Sequence, residues 1–138
     1  KADRKKLMAF IEKNGTEPWM REFYPGLFAE GNRNRLSATI KILVDKGIHY
    51  DKNNVLNTIE ALMNRPDRTE VLERFDGPVL FIVGMQDAAI AEKNSRAQLD
   101  MPDISFAEML EDVAHMGIFE APAETKNAIE ELLNYPIE

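Results

Sequence analysis

The chain of 138 residues contains no cysteine. This absence excludes a disulfide scaffold and any metal site built on thiolates. The two histidines, His49 and His115, are too few for most histidine-based metal sites, although carboxylate sites stay open. Basic residues are in the minority, because 17 lysines and arginines against 24 aspartates and glutamates give a net charge of −7. A nucleic-acid partner, which requires a basic face, is therefore not expected.

Long apolar segments are also missing from the sequence. No run approaches the roughly 20 residues of a membrane-spanning helix, and no apolar signal core follows the basic residues at the start. We therefore expect a cytoplasmic protein without a membrane partner. The first residue is Lys1 and not a methionine. A processed or tagged terminus would explain this start, but we favour a start inside a longer protein.

The first half of the chain has a helical pattern. Hydrophobic residues make up 44% of the sequence and charged residues 30%, which is the composition of a globular protein. Apolar residues recur at helical spacing within 7–11, 19–24, 36–44 and 55–63, and 67–75 predicts one more short helix. Asp51 is the predicted N-cap of the helix that contains 55–63.

The period of the pattern changes after residue 75. Pro78–Gly84 is a continuous apolar run, which is typical of a strand buried on both faces of a parallel sheet. A helix over Ile90–Leu99 and a weaker strand over Ile104–Leu110 complete a βαβ unit, and a terminal helix begins at Pro122. Two strands leave both edges of a sheet open, which indicates that sequence is missing upstream.

Asp87 and His115 follow the two predicted strands and lie 28 residues apart in the sequence. Taken alone, Asp87 is better explained as a helix cap, and His115 as a surface or satisfied core histidine. Together they indicate an acid–histidine pair. Neighbouring parallel strands lie about 4.8 Å apart and their carboxyl ends share one edge, so the two loops can meet. An acid bound to one imidazole nitrogen fixes the tautomer and leaves the other nitrogen free as a base.

Three segments, Arg65–Leu72, Pro78–Asp87 and Ala114–Gly117, are together similar to the C-terminal half of α/β-hydrolase-fold enzymes. In that family the nucleophile, the acid and the histidine follow one another along the chain, and Asp87 and His115 match the last two. The resemblance covers essentially the whole chain. It implies an α/β fold class: a C-terminal fragment of an α/β-hydrolase fold, mostly helical, with a two-stranded parallel βαβ unit. Residues 1–74 would form a helical cap, and 75–138 the βαβ-α part of the core.

The sequence departs from the family in its lack of a nucleophile. None of the serines, Ser37, Ser95 and Ser105, lies in a Gly-x-Ser-x-Gly elbow, and an oxyanion-hole segment is missing too. The resemblance implies a serine-type ester or related carbonyl hydrolase to which this chain supplies Asp87 and His115, inactive on its own. It implies no cofactor and no metal. Its partners would be a small-molecule substrate in the intact enzyme and the missing N-terminal half. The alternative is a non-catalytic helical binding or interaction module.

Four apolar residues are candidates for binding the substrate. Trp19, Phe23 and Phe28 lie in the predicted cap and Met116 is next to the histidine, and apolar side chains line most substrate pockets. For the aromatic residues, packing within the cap is the default explanation. Because the strand at 78–84 would lack its upstream neighbour, we also expect a homo-oligomer, most simply a twofold dimer.

Overall fold

The computed structural model of the chain describes residues 2–136. In chain order its helices are α1 (Ala2–Asn14), α2 (Glu17–Gly26), α3 (Ser37–Gly47), α4 (Lys52–Asn64), α5 (Thr69–Glu73), α6 (Glu92–Leu99), α7 (Gly117–Glu120) and α8 (Pro122–Leu133), and its strands are β1 (Val79–Gly84) and β2 (Ser105–Leu110). A short 3-10 helix covers Glu30–Asn32. No helix in the described part of the chain has the length and apolarity to cross a membrane.

The first of two compact units contains α1 to α4, from the start of the chain to Gly26 together with Ser37–Asp67. Its core is formed by apolar side chains from three helices: Ile11, Met20, Val55, Leu56 and Ile59. Each of these three helices contributes apolar side chains to this core, and other residues of the predicted apolar stripes remain exposed. Helix α4 begins where the Asp51 carboxylate accepts a hydrogen bond from the Asn54 backbone N–H at 3.0 Å, so the predicted N-cap is confirmed.

The second unit contains Leu27–Leu36 and the described residues from Arg68 onwards. Strands β1 and β2 pair in parallel, in a register that runs from Val79 opposite Ser105 to Gly84 opposite Leu110. Helices α6 and α8 pack against this pair of strands. The two parallel, adjacent strands predicted from the change in hydrophobic period are therefore confirmed.

The structure differs from the sequence prediction in three details. Helix α6 begins at Glu92 and not near Ile90, and the four-residue helix α7 was not predicted because it is shorter than a helical period can reveal. The segment Leu27–Leu36 groups with the second unit although it precedes residue 74. A backbone hydrogen bond of 3.0 Å from the N–H of His115 to the carbonyl of Leu27 fastens this segment there. The roles of cap and core stay predictions.

Strand β1 ends at a glycine because the backbone of the loop after β2 lies directly against this residue. A Cβ atom at Gly84 would lie 1.9 Å from the carbonyl oxygen of Ala114 and 2.7 Å from that of Val113. Both oxygens are backbone atoms, which cannot move away by a change of rotamer as a side chain can. The loop that carries His115 therefore depends on the absence of a side chain at residue 84.

We predict that Gly84→Ala destabilises the chain by about 1–3 kcal/mol or more, because the new methyl group must displace a neighbouring backbone segment. The matched control is Gly31→Ala, since a Cβ atom at Gly31 meets nothing within 4 Å. Denaturant unfolding followed by circular dichroism gives both free energies of unfolding. Equal stability of the two variants would contradict the close packing at Gly84.

Candidate active site

The pairing of β1 with β2 continues into the two loops that follow the strands. The N–H of Met85 donates to the carbonyl of Leu110 at 3.0 Å, and the N–H of Gln86 donates to the carbonyl of Val113 at 2.9 Å. Both loops therefore leave the sheet at the same edge and are hydrogen-bonded to one another. This arrangement brings the residue after Gln86 to the loop that carries His115.

Asp87 and His115 are in direct contact in this position. The distance between Oδ2 of Asp87 and Nδ1 of His115 is 2.7 Å, so the proximity predicted from their spacing is confirmed. The other oxygen, Oδ1, accepts hydrogen bonds from the N–H groups of Ala89 at 2.7 Å and Ile90 at 2.9 Å. Because α6 begins only at Glu92, Asp87 orders the turn before this helix and does not cap the helix itself.

The two side chains differ in their exposure to solvent. The Asp87 side chain is 11% exposed and the His115 side chain 42%. Within residues 2–136, Nε2 of His115 has no hydrogen-bond partner, and the ring lines a cleft of about 350 Å³ with largely apolar walls that include Ile82, Ile118 and Ile129. When the N–H of Nδ1 donates a hydrogen bond to Asp87, Nε2 carries no proton and can accept one from a group in the cleft.

Glu120 is a functional candidate that the sequence analysis missed. This residue is 5% exposed, and its Oε1 accepts hydrogen bonds from the N–H groups of Ala114 at 3.0 Å and Met116 at 3.2 Å. Its Oε2 accepts from the N–H of Ala29 at 2.8 Å and from Nδ2 of Asn32 at 2.9 Å. The signal available in the sequence was a single acidic residue in an otherwise apolar stretch shortly after the histidine.

Two of the predicted substrate-binding residues lie together in the first unit. The rings of Trp19 and Phe23 have centroids 4.7 Å apart and line a second cleft of about 350 Å³, together with Tyr24 and Tyr50. Burial raises the pKa of the Tyr24 phenol above its ordinary value, and a hydrogen bond with Tyr50 raises this pKa further. A substrate contact of Trp19 or Phe23 stays a prediction.

The other two predicted substrate-binding residues belong to the second unit. Phe28 is 1% exposed and packs against Phe119, with the ring centroids 6.3 Å apart. Its burial favours a core role, and this side chain offers almost no surface to a substrate. Met116 is half-buried next to His115 in the sequence, and its role in binding stays a prediction.

The acidic residues at 100–112 lie mostly on the surface of the second unit. Over the part of the chain that the structure describes, no group of three or more histidine, cysteine, aspartate or glutamate side chains could hold a metal ion.

The chain is similar to several solved structures, whereas no protein-family model and no curated protein sequence matches it. An esterase from Thermogutta terrifontis is 22% identical with a TM-score of 0.83, over 96% of this chain and 48% of that one. A bromoperoxidase from Bacillus anthracis is 20% identical with a TM-score of 0.84, over 98% and 49%. The enol-lactonase from Burkholderia xenovorans is 18% identical with a TM-score of 0.82, over 93% and 48%.

These similarities concern the fold of a part of each larger protein. The chain spans about half the length of each of the three solved structures. At 18–22% identity the likeness shows the fold.

Each oxygen of the Asp87 carboxylate has a different partner, which predicts how Asp87→Asn changes the tautomer of neutral His115. The asparagine would keep its oxygen on the N–H groups of Ala89 and Ile90 and would turn its amide N–H toward Nδ1 of the ring. We therefore expect the Nδ1-protonated tautomer in the original chain and the Nε2-protonated tautomer in the variant. Imidazole ¹⁵N shifts distinguish the two tautomers, and the exposed His49 is the internal reference. The same tautomer in both proteins would contradict the hydrogen bond to Asp87.

Proposed function

Because the chain has the fold of the C-terminal part of an α/β-hydrolase, as its sequence predicted, we propose that it supplies the acid and the histidine of a catalytic triad. The intact enzyme would be a serine-type hydrolase of esters or related carbonyl compounds. The observation that carries this proposal is the 2.7 Å contact between Asp87 and His115 at the carboxyl ends of two parallel strands. An esterase and an enol-lactonase are among the similar structures, which agrees with a carbonyl substrate.

The geometry supports a division of roles between the two residues. His115 would take the proton from a serine hydroxyl through Nε2 while the serine oxygen bonds to the carbonyl carbon of the substrate. Asp87 would hold the N–H of Nδ1 and stabilise the imidazolium that forms. His115 would then return the proton to the leaving alcohol, which leaves an acyl-enzyme, and would activate a water molecule that releases the acid.

The remaining parts of such a site would come from a different segment. The 138 residues contain no Gly-x-Ser-x-Gly sequence, so the proposed partner is the N-terminal half of the hydrolase, with the nucleophile and the oxyanion hole. One oxyanion-hole donor alone contributes about 2.7–4 kcal/mol to stabilising the transition state. We therefore propose that this chain alone is inactive, because a base without a nucleophile and an oxyanion hole has no acyl transfer to assist.

We predict that the chain alone hydrolyses a p-nitrophenyl ester no faster than its His115→Ala variant. When the chain is produced together with the sequence encoded upstream of it, we expect saturable hydrolysis that His115→Ala lowers about 10⁴-fold or more. The control is His49→Ala, which replaces the only other histidine and should leave the rate unchanged.

Two results would contradict this proposal. Saturable hydrolysis by the chain alone that disappears with His115→Ala would mean that the nucleophile lies within these 138 residues. A longer protein whose ester hydrolysis is absent, or indifferent to His115→Ala, would favour a non-catalytic binding or interaction module.

We also propose that the free edge of β1 pairs with another strand. Within the described residues β1 pairs only with β2, so the backbone N–H and C=O groups along its other edge have no strand partner. The N-terminal half would cover this edge in the intact enzyme. For this chain alone a second copy is the available partner, because unpaired strand edges and apolar patches favour association.

For the isolated chain we accordingly predict a dimer with twice the 15.7 kDa mass of the monomer. Size exclusion coupled to light scattering over a concentration series measures this mass directly. The dimer should dissociate on dilution, because it uses an edge and not a dedicated interface. A mass of 15.7 kDa at every concentration would rule out self-association.

A further inference from the structure

Among the residues that the structure describes, Glu120 is a buried carboxylate without a cationic side chain on its oxygens. It is 5% exposed, and no ion pair of this carboxylate occurs within residues 2–136. Arg35 approaches it, but its guanidinium donates to the backbone carbonyl of Glu120 at 2.8 Å. A carboxylate is costly to bury unless hydrogen bonds replace its lost hydration. Here the four N–H donors on its two oxygens supply that replacement.

The donors are divided between the oxygens in a way that concerns His115. Oε1 binds the N–H groups of Ala114 and Met116, which are the residues directly before and after the histidine. The N–H of His115 itself donates to the carbonyl of Leu27 at 3.0 Å. The three consecutive backbone N–H groups of Ala114–Met116, called the histidine loop below, are therefore held by acceptors outside this loop.

The second oxygen holds the segment that provides one of these acceptors. Oε2 binds the N–H of Ala29 and the side-chain amide of Asn32, both in the segment Leu27–Leu36. The Asn32 amide also donates to the carbonyl of Asp112 at 2.7 Å, just before the histidine loop. Glu120 thus holds the histidine loop directly through Oε1. It also holds this loop indirectly, because it fixes the segment with Leu27, whose carbonyl binds the N–H of His115.

We propose that Glu120 is a positioning residue for His115, which sets the backbone on both sides of the histidine so that Nδ1 reaches Asp87. This inference rests on the proposed function and adds a residue that acts through the backbone without touching the imidazole or a substrate. The position of a base relative to its partner contributes strongly to catalysis, and a supporting shell of hydrogen bonds maintains it.

A carboxylate is required because every group that faces it is a donor. A glutamine in the same place has one acceptor oxygen, and its NH₂ group would face either two backbone N–H groups or one N–H and the Asn32 amide. A backbone N–H cannot turn its dipole, and reversing the Asn32 amide would remove its bond to Asp112. Glu120→Gln therefore loses the hydrogen bonds on one of the two oxygens, although glutamine has nearly the same size as glutamate.

The experiment reads the tautomer of His115 by imidazole ¹⁵N shifts in the original chain, in Glu120→Gln and in Glu120→Asp. The matched control is Glu124→Gln, which makes the same chemical change at an exposed position of α8. We expect the control to keep the Nδ1-protonated tautomer. Glu120→Gln should lose it and show a mixture of tautomers with circular dichroism unchanged. Glu120→Asp should be intermediate, because it keeps both oxygens and shortens their reach.

The outcomes separate this inference from the proposed function. If the original chain lacks an Asp87-dependent tautomer of His115, the proposed function fails. If the original chain has it and a folded Glu120→Gln variant retains it unchanged, the positioning role of Glu120 is overturned. Unfolding of both Glu120 variants while Glu124→Gln stays folded would also overturn it, because Glu120 would then support the whole unit and not the position of His115.

Discussion

The parallel pairing of β1 with β2 determines where the side chains of Asp87 and His115 lie. Since Gly84 is opposite Leu110, both strands end at the same edge, and the loops after them continue the pairing through Met85 and Gln86. The missing side chain at Gly84 lets the backbone at Ala114 lie on the end of the strand. Backbone hydrogen bonds thus hold the two loops together, and the side chains of Asp87 and His115 complete the contact at 2.7 Å.

Two carboxylates complete this backbone geometry by the same physical means. Asp87 uses one oxygen on the turn that follows it and the other on the ring of His115. Glu120 uses one oxygen on the histidine loop and the other on the segment Leu27–Leu36. In each case the two oxygens of one planar carboxylate bind two different parts of the second unit, so a shift of one contact also changes the other.

The sequence predicted the parts of the structure that rest on local pattern. The change of hydrophobic period at residue 75 identified both strands, and the order of Asp87 and His115 behind them identified their contact. Glu120 escaped prediction because three of its four donors are backbone N–H groups, which every residue except proline carries, and because Ala29 lies 91 residues away. Phe28 resembled a pocket residue by type, whereas its burial depends on Phe119, a tertiary contact without a signature in the sequence.

The hydrogen bonds that place Asp87 and His115 all lie within the second unit, and this confines the nucleophile of the proposed enzyme to a narrow region. Along the side of β1 that has no strand partner within the described residues, a parallel strand can pair. The loop after such a strand would emerge at the carboxyl end of the sheet, where Asp87 lies. A strand there, or its next neighbour, lies about 5–10 Å from β1, which is one or two strand spacings. A serine on that loop would lie within reach of Nε2 across the cleft lined by His115. The contact between Asp87 and His115 therefore needs only the second unit, because parallel strands place the loop after each strand at the same end of the sheet.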